Sequence, residues 1–128
     1  MSTDTSPSLT VVPAVVRLVV ESILWDKRLE DLLEVATEGH ETAGVEGAPG
    51  RILERRNEAD NHPYFANWPA DARFRVYVDP GQYLLPDSEC FLSRADFAVQ
   101  VRQVLDEHLQ SHPSDRAIVS KILDSLGR

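Results

Sequence analysis

The stretch from residue 73 to residue 78 constrains the fold more than any other part of this sequence. It alternates polar and apolar residues, and Phe74, Val76 and Val78 share one side. A repeat of two residues is typical of a β-strand with one buried face. The sequence therefore predicts a strand here, with its apolar face covered by another layer of the domain.

A turn, a second strand and a helix are predicted to follow. Asp79, Pro80 and Gly81 favour a type II turn, with glycine at the position that requires a positive φ. The short apolar run at residues 83–85 is predicted to form the second strand, and Ser93 is predicted to cap a helix. Apolar residues recur along that helix at helical spacing: Phe97, Val101, Val104, Leu105 and Leu109. We expect this face to pack on the strand.

Two helices are predicted in the first third of the chain. Residues 12–24 are apolar around nearly the whole helical wheel, which is typical of a helix at the centre of a domain. Their β-branched content leaves a strand as the competing interpretation, although Pro13 favours a helix start. Asp26 is predicted to cap a second helix that ends near Gly39. Its buried stripe consists of Leu29, Leu32, Leu33 and Ala36.

Four carboxylates occupy the opposite side of the second predicted helix, and Lys27 is the only basic residue among them. This acidic arc consists of Glu30, Asp31, Glu34 and Glu38. Like charges four residues apart slightly destabilise a helix. Two interpretations stay open: an ordinary solvated surface, or a surface that binds a basic partner.

Residues 40–61 lack periodicity and are predicted to form a loop, in which Ile52 and Leu53 could begin a short strand or a helical turn. Three arginines make the loop locally basic, and we expect them to pair with nearby carboxylates. The arginines are Arg51, Arg55 and Arg56, and the carboxylates are Glu54, Glu58 and Asp60.

A second loop, residues 61–69, is rich in aromatic residues and bounded by prolines that exclude a regular helix. Its aromatic residues are Tyr64, Phe65 and Trp68. Such a loop either covers the sheet or contacts a partner, and covering is the favoured interpretation. The aromatic loop is nevertheless our second candidate for a partner-binding surface.

The 128 residues suffice for one domain with a substantial core. Residues 1–8 are small and polar, so they are predicted to be disordered. A last helix is predicted after Pro113, with Ile118, Val119 and Ile122 on its apolar face. The predicted fold is therefore a single α+β domain over residues 9–128, with about four helices and a small antiparallel sheet of two to four strands.

The chain carries 21 acidic and 13 basic residues, for a formal charge of −8. This balance disfavours binding to nucleic acid, which requires clustered lysine and arginine. The apolar run at residues 9–25 is interrupted by Pro13, Arg17 and Glu21, so we expect neither a signal peptide nor a membrane span. The lone Cys90 cannot form an internal disulfide. We expect a cytoplasmic protein, with export by a route without a cleavable signal as the alternative.

Catalytic and metal-binding patterns are weak in this sequence. His108 and His112 have the spacing of two zinc ligands on one helix face, but the usual companion ligands are missing and His112 precedes Pro113. No serine, cysteine or glycine-rich motif indicates a nucleophile or a phosphate loop. We therefore expect no metal, no cofactor and no enzymatic activity, while an enzyme site assembled from distant residues stays an alternative.

The size, the acidity and the acidic arc resemble those of the small immunity proteins of bacterial toxin systems, including contact-dependent growth inhibition. The resemblance covers only the general character of the chain. It implies stoichiometric inhibition of a cognate toxin, commonly a nuclease, with carboxylates acting as phosphate mimics. The residues expected to bind the partner are Glu30, Asp31, Glu34, Glu38, Tyr64, Phe65 and Trp68. The alternatives are a cytosolic adaptor or chaperone for a secreted protein, and a small enzyme.

Overall fold

Four antiparallel strands form a meander in the order β1-β2-β3-β4, and helices cover one of its faces. The structure is a computed structural model that describes residues 11–40, 43–47, 50–58 and 60–127. The segment predicted to be disordered, residues 1–8, lies outside the described residues. Within them, the strands are Gly44–Gly47 (β1), Arg51–Arg55 (β2), Phe74–Val78 (β3) and Glu89–Leu92 (β4), and the helices are Ala14–Trp25 (α1), Leu29–Ala36 (α2), Arg94–Ser111 (α3) and Arg116–Ser125 (α4). The predicted single-domain α+β class is confirmed.

The inner face of the sheet is apolar because alternate residues of β3 point toward the helices. Phe74, Val76 and Val78 are fully buried, as the alternating pattern predicted. Phe97 of α3 stacks on Phe74 with 4.0 Å between the ring centroids. The predicted contact of α3 with the β3 face is therefore present at Phe97, whereas α1 is the helix that lies against most of β3.

Helix α1 lies against β2, β3 and β4, and α3 contacts β4 and α1. Val16, Val19 and Val20 of α1 are buried, which agrees with its prediction as the central helix. Helix α2 packs against β1 and β2, while α4 packs against α2 and α3. The oxygen of Ser93 accepts the Asp96 N–H at 3.1 Å, so the predicted cap of α3 is also present.

The predictions for the strands around β3 were partly wrong. The second strand of the predicted hairpin is Glu89–Leu92, whereas Leu84 is 99% exposed in the connecting loop. The turn at Asp79 forms, but Gly81 does not have a positive φ and the turn is not type II. The Asp79 carboxylate instead accepts the Gly81 N–H at 2.8 Å, and this short-range bond sets the turn. Residues 44–47, predicted as loop, form β1 because pairing with β2 outweighs their glycine content.

The corner between α1 and α2 differs from its prediction. Asp26 follows the last residue of α1 and does not cap α2, which begins after Arg28 without a side-chain cap. The Lys27 N–H bonds to the Leu24 carbonyl and the Arg28 N–H to the Ile23 carbonyl, each at 3.0 Å. These two bonds form a Schellman motif, and Lys27 takes the left-handed position with φ 59°. Asp26 therefore belongs to the motif that ends α1, and α2 begins without a side-chain cap.

Helix α2 ends at Ala36, earlier than predicted, because Arg55 of β2 binds the backbone carbonyls at its C-terminus. Arg55 is 1% exposed, and its guanidinium donates to the carbonyls of Glu34 at 2.9 Å and Val35 at 2.7 Å. A cation at a helix C-terminus satisfies carbonyls that have no partner within the helix. The guanidinium of Arg55, which was predicted to pair with nearby carboxylates, therefore bonds to backbone carbonyls at the end of α2.

Candidate functional site

A cleft of about 760 Å³ lies where α1 and α3 end and where α2 and α4 begin. Its polar walls carry four carboxylates, one lysine and two histidines. They are Glu21, Glu30, Glu107, Asp115, Lys27, His108 and His112. We call this region the cleft.

Trp25, the last residue of α1, lines the cleft and is 67% exposed. It is the largest of the exposed apolar side chains among the described residues. The corner after Trp25 includes Lys27 in the left-handed conformation, which costs a residue other than glycine about 1 to 2 kcal/mol. An exposed anchor beside a strained residue is typical of a site that binds something.

One internal arginine neutralises part of the cleft. Arg17 of α1 bonds to the Glu107 carboxylate at 2.8 Å and to the Glu21 carboxylate at 3.1 Å. The hydrogen bond from Arg17 holds the pKa of Glu107 below its ordinary value. Two carboxylates thus share one guanidinium, and the cleft keeps an excess of negative charge.

His108 and His112 lie together on the α3 side of the cleft. Their rings are stacked with 4.3 Å between centroids, and His108 Nε2 is 2.7 Å from the Asp115 carboxylate. The Ser111 hydroxyl contacts Nδ1 of His112 instead, at 3.1 Å. In a hydrolytic triad one imidazole joins the hydroxyl to the carboxylate through its two nitrogens. Here the two contacts belong to different imidazoles, so these residues do not form such a relay.

Among the described residues, no three histidine, cysteine, aspartate or glutamate side chains are grouped so that they could hold a metal ion. The expectations of no metal and no enzymatic activity stay predictions.

The structure divides the acidic arc between two parts of the molecule. Glu30 is exposed at the cleft, and Glu34 lies four residues further along α2. Asp31 bonds to Nε of Arg28 at 2.7 Å. Glu38 lies beyond the end of α2, where it bonds to Arg94 at 2.7 Å and accepts the Glu58 N–H at 2.6 Å. Glu38 is therefore separated from Glu30 and the cleft, while Asp31 is paired with Arg28.

Glu38 belongs to a network that we call the anchored end, which consists of Glu38, Arg55, Arg56, Arg73 and Arg94. Burial alone would raise the pKa of Glu38, but the Glu58 N–H and Arg94 together hold it below its ordinary value. Arg94 also donates to the Ser125 carbonyl at 3.0 Å, and Arg56 donates to the Ala72 carbonyl at 2.6 Å. These charges hold chain segments together.

The aromatic loop covers part of the outer face of the sheet. Trp68 contacts Phe91 of β4 edge to face at 5.3 Å between centroids, and Phe65 contacts Trp68 at 4.9 Å. Tyr64 is 55% exposed, and its hydroxyl donates to Glu54 of β2 at 2.7 Å. Covering the sheet, the favoured interpretation, is therefore correct for Trp68, while Tyr64 keeps an exposed ring that a partner could contact.

Sequence reasoning missed Trp25 and the association of Glu21 and Glu107 with Glu30. The apolar run that predicted α1 also suggested that its end is buried. The available signal was Trp25 immediately before the charged corner Asp26, Lys27 and Arg28. No local pattern could place Glu107 there, because it lies 86 residues from Glu21 and reaches it only through the packing of α3 on α1.

A second concavity, the apolar groove, has a volume of about 550 Å³ and lies between α3 and α4. Ala98 and Val99 form one wall, and Leu123 and Leu126 form the other. Arg94 and Arg102 lie at its rim, so the groove differs from the acidic cleft in both polarity and charge.

Comparison of the chain with protein-family models, with curated proteins and with solved structures found no match. None of the described helices is both long enough and apolar enough to cross a bilayer.

Proposed function

We propose that this protein is a non-enzymatic inhibitor that binds a basic protein partner, and that it acts as an immunity protein against a bacterial toxin such as a nuclease. One observation carries the proposal: Trp25 is largely exposed at the mouth of a cleft whose carboxylates outnumber its only lysine. Exposed tryptophans are frequent anchors in protein interfaces. Negative charge around such an anchor suits a partner with a positive surface, and a nuclease keeps one to bind phosphate.

The proposal assigns different roles to the residues of the surface. Trp25 would supply most of the binding energy, so its loss should act mainly on dissociation. Glu30, with Glu34 beside it, would attract the partner and act mainly on association. Asp31 and Glu38 would contribute less because Arg28 and Arg94 already neutralise them. Tyr64, Phe65 and Trp68 form the rival surface.

The first experiment identifies the partner. The protein is captured with its bound proteins from its native host, and the neighbouring genes are sequenced. A toxin domain encoded directly upstream, and recovered in the capture, is the expected result. An adaptor would be favoured instead if the captured partner is a single secreted protein that is not toxic, and if this protein is a dimer.

The second experiment tests the surface by expressing the toxin together with variants of this protein. Trp25→Ala should weaken binding by about thirtyfold or more and should reduce protection of the cells. Glu30→Gln should slow association by less than about tenfold at low salt, and Glu58→Gln is the matched control. If Trp25→Ala still protects the cells fully and Tyr64→Ala does not, the interface is the aromatic loop and not the cleft.

The adaptor alternative has one structural observation in its favour, the apolar groove. A chaperone or adaptor for a secreted protein needs an apolar surface, and the groove wall includes the exposed side chain of Val99. Val99→Asp would abolish binding of an adaptor's client, whereas it would leave toxin binding at the cleft unchanged.

A further inference from the structure

Val99 of α3 leaves an apolar side chain in water beside the apolar groove. The side chain is 51% exposed, and it lines the groove together with Ala95 and Ala98. Leu123 and Leu126 of α4 form the opposite wall. Covering this side chain and the groove with a second apolar surface removes both from water, which is favourable. A partner that covers the groove should therefore present an apolar side chain to it.

Two side chains of opposite charge lie at equal distances from Val99. Asp96 is three residues before Val99 and Arg102 is three residues after it, and both are exposed. A spacing of three residues corresponds to about 4.5 Å along a helix and about 60° around it, so the two charges lie on opposite flanks of Val99. We call Ala95, Asp96, Val99 and Arg102 the exposed face of α3.

Neither charge has a close partner within the part of the chain that the structure describes. Arg102 Nε is 3.7 Å from the Asp106 carboxylate, and both side chains are more than half exposed. Asp96 forms no ion pair with any described residue. Arg94, at the same groove, differs because it bonds to Glu38 at 2.7 Å. An exposed pair at a long distance contributes little stability, so Asp96 and Arg102 can pair with another molecule at little cost.

A second copy of the chain fits this spacing. In a dimer with two-fold symmetry, any contact of one residue with another is repeated with the two copies exchanged. If two α3 helices run antiparallel and meet at Val99, Asp96 of each copy lies at the level of Arg102 of the other. The contact then contains two equivalent ion pairs around an apolar centre. The short side chains of Ala95 and Ala98 let the second helix approach closely enough to cover the groove.

We infer that the exposed face of α3 is the interface of a weak symmetric homodimer, in which the two α3 helices are antiparallel and Val99 lies at the two-fold axis. Small interfaces are usually weak, so we expect a dissociation constant on the order of 100 μM. None of the four residues of this face lines the cleft. The inference is therefore independent of the proposed function.

Sedimentation equilibrium of the full chain measures the dimer directly. Between about 10 μM and about 1 mM, the average mass of the unchanged protein should rise from near that of one copy toward that of two. Val99→Asp brings two carboxylates together at the axis and should stay a monomer throughout. Lys121→Glu is the matched control, because Lys121 is exposed on α4 and does not line the groove. It should dimerise like the unchanged protein.

Two charge reversals test the antiparallel arrangement. Asp96→Arg and Arg102→Asp each bring like charges together, so each variant alone should dimerise at least about tenfold more weakly. A mixture of the two variants restores both ion pairs in a heterodimer, and it should associate about as strongly as the unchanged protein. Lys121→Glu changes the net charge as much as Arg102→Asp does, so it controls for general repulsion. Recovery in the mixture also shows that both variants are folded.

Several results would contradict the inference. An unchanged protein that is still a monomer at about 1 mM has no such interface. A dimer that persists in Val99→Asp and in both charge reversals uses another surface, and a mixture that does not recover excludes the antiparallel contact. If the unchanged protein is a monomer and Val99→Asp loses a captured partner, the groove binds that partner instead of a second copy.

Discussion

The cleft and the anchored end lie at opposite ends of α2 and α3, and they use charged residues differently. At the anchored end, Arg55, Arg56 and Arg94 donate to backbone carbonyls, so each charge holds two chain segments together. At the cleft, Glu30 is exposed in a concavity beside Trp25. The same residue types therefore stabilise the fold at one end and leave a surface for binding at the other. Charge count alone does not distinguish these roles, because burial and the available partners decide between them.

One of the two largest expected effects tests the structural role of the anchored end. Arg55→Met should reduce the free energy of unfolding by about 3 kcal/mol or more, since it leaves buried carbonyls of α2 without a donor. Arg102→Met is the matched control, because the Arg102 side chain is exposed and its Nε forms only a long surface contact of 3.7 Å with the Asp106 carboxylate. The control should change stability by less than about 0.5 kcal/mol in urea unfolding. Similar small effects in both variants would remove the distinction between the two ends.

The buried aromatic pair gives a reference for the exposed Trp25. Phe97→Ala should destabilise the protein by about 3 to 5 kcal/mol, because Phe97 is fully buried against Phe74. Trp25→Ala should cost less than about 1 kcal/mol, since its side chain is largely in water already. Thermal and urea unfolding of both variants check this. A large loss of stability in Trp25→Ala would mean that Trp25 serves the fold.

Regular elements with a clear repeat could be predicted from the sequence. The alternation in β3, the cap of α3 and the apolar wheel of α1 each depend on residues close together in the chain. The ends of α2 could not be predicted in this way, because a Schellman motif at Lys27 sets one end and Arg55, on a strand 19 residues later, sets the other. Local patterns do not contain such long-range bonds.

The candidate site shows the same limit. Glu30 was identified from charge spacing, and its role in binding stays a prediction. Glu38 was assigned to the same arc because a helix through Glu38 was assumed, whereas Arg55 ends α2 at Ala36. Asp31 does lie on α2, but it pairs with Arg28. Glu107 joins Glu21, Trp25 and Glu30 only through the packing of α3 on α1.

The left-handed residue at the cleft gives a smaller effect of opposite sign. Lys27→Gly should stabilise the protein by up to about 1 kcal/mol, because glycine adopts a positive φ without the clash that a side chain causes. Chemical denaturation measures the change, and Gly39→Ala, at φ 82°, is the reciprocal substitution and should destabilise. A destabilised Lys27→Gly would show that the lysine side chain contributes to the corner itself.

The smallest expected effect concerns acid. The folded state holds the pKa of Glu38 below its ordinary value of 4.5. The carboxylate therefore stabilises the fold above that value, and this contribution is lost as the pH falls through the lower, folded pKa. Because the pair with Arg94 is partly exposed, the loss should not exceed about 1 kcal/mol. Glu38→Gln should lower stability near neutral pH and flatten its decline in acid, as followed by urea unfolding between about pH 6 and about pH 3.

Amide hydrogen exchange of the protein, alone and with its captured partner, tests most directly whether the cleft is the binding surface. We predict that the partner slows exchange in residues 24–30 and 107–115, while residues 62–68 of the aromatic loop and the anchored end around Arg55 exchange as in the isolated protein. Protection confined to the aromatic loop, with unchanged exchange around Trp25 and His108, would contradict the assignment of the cleft.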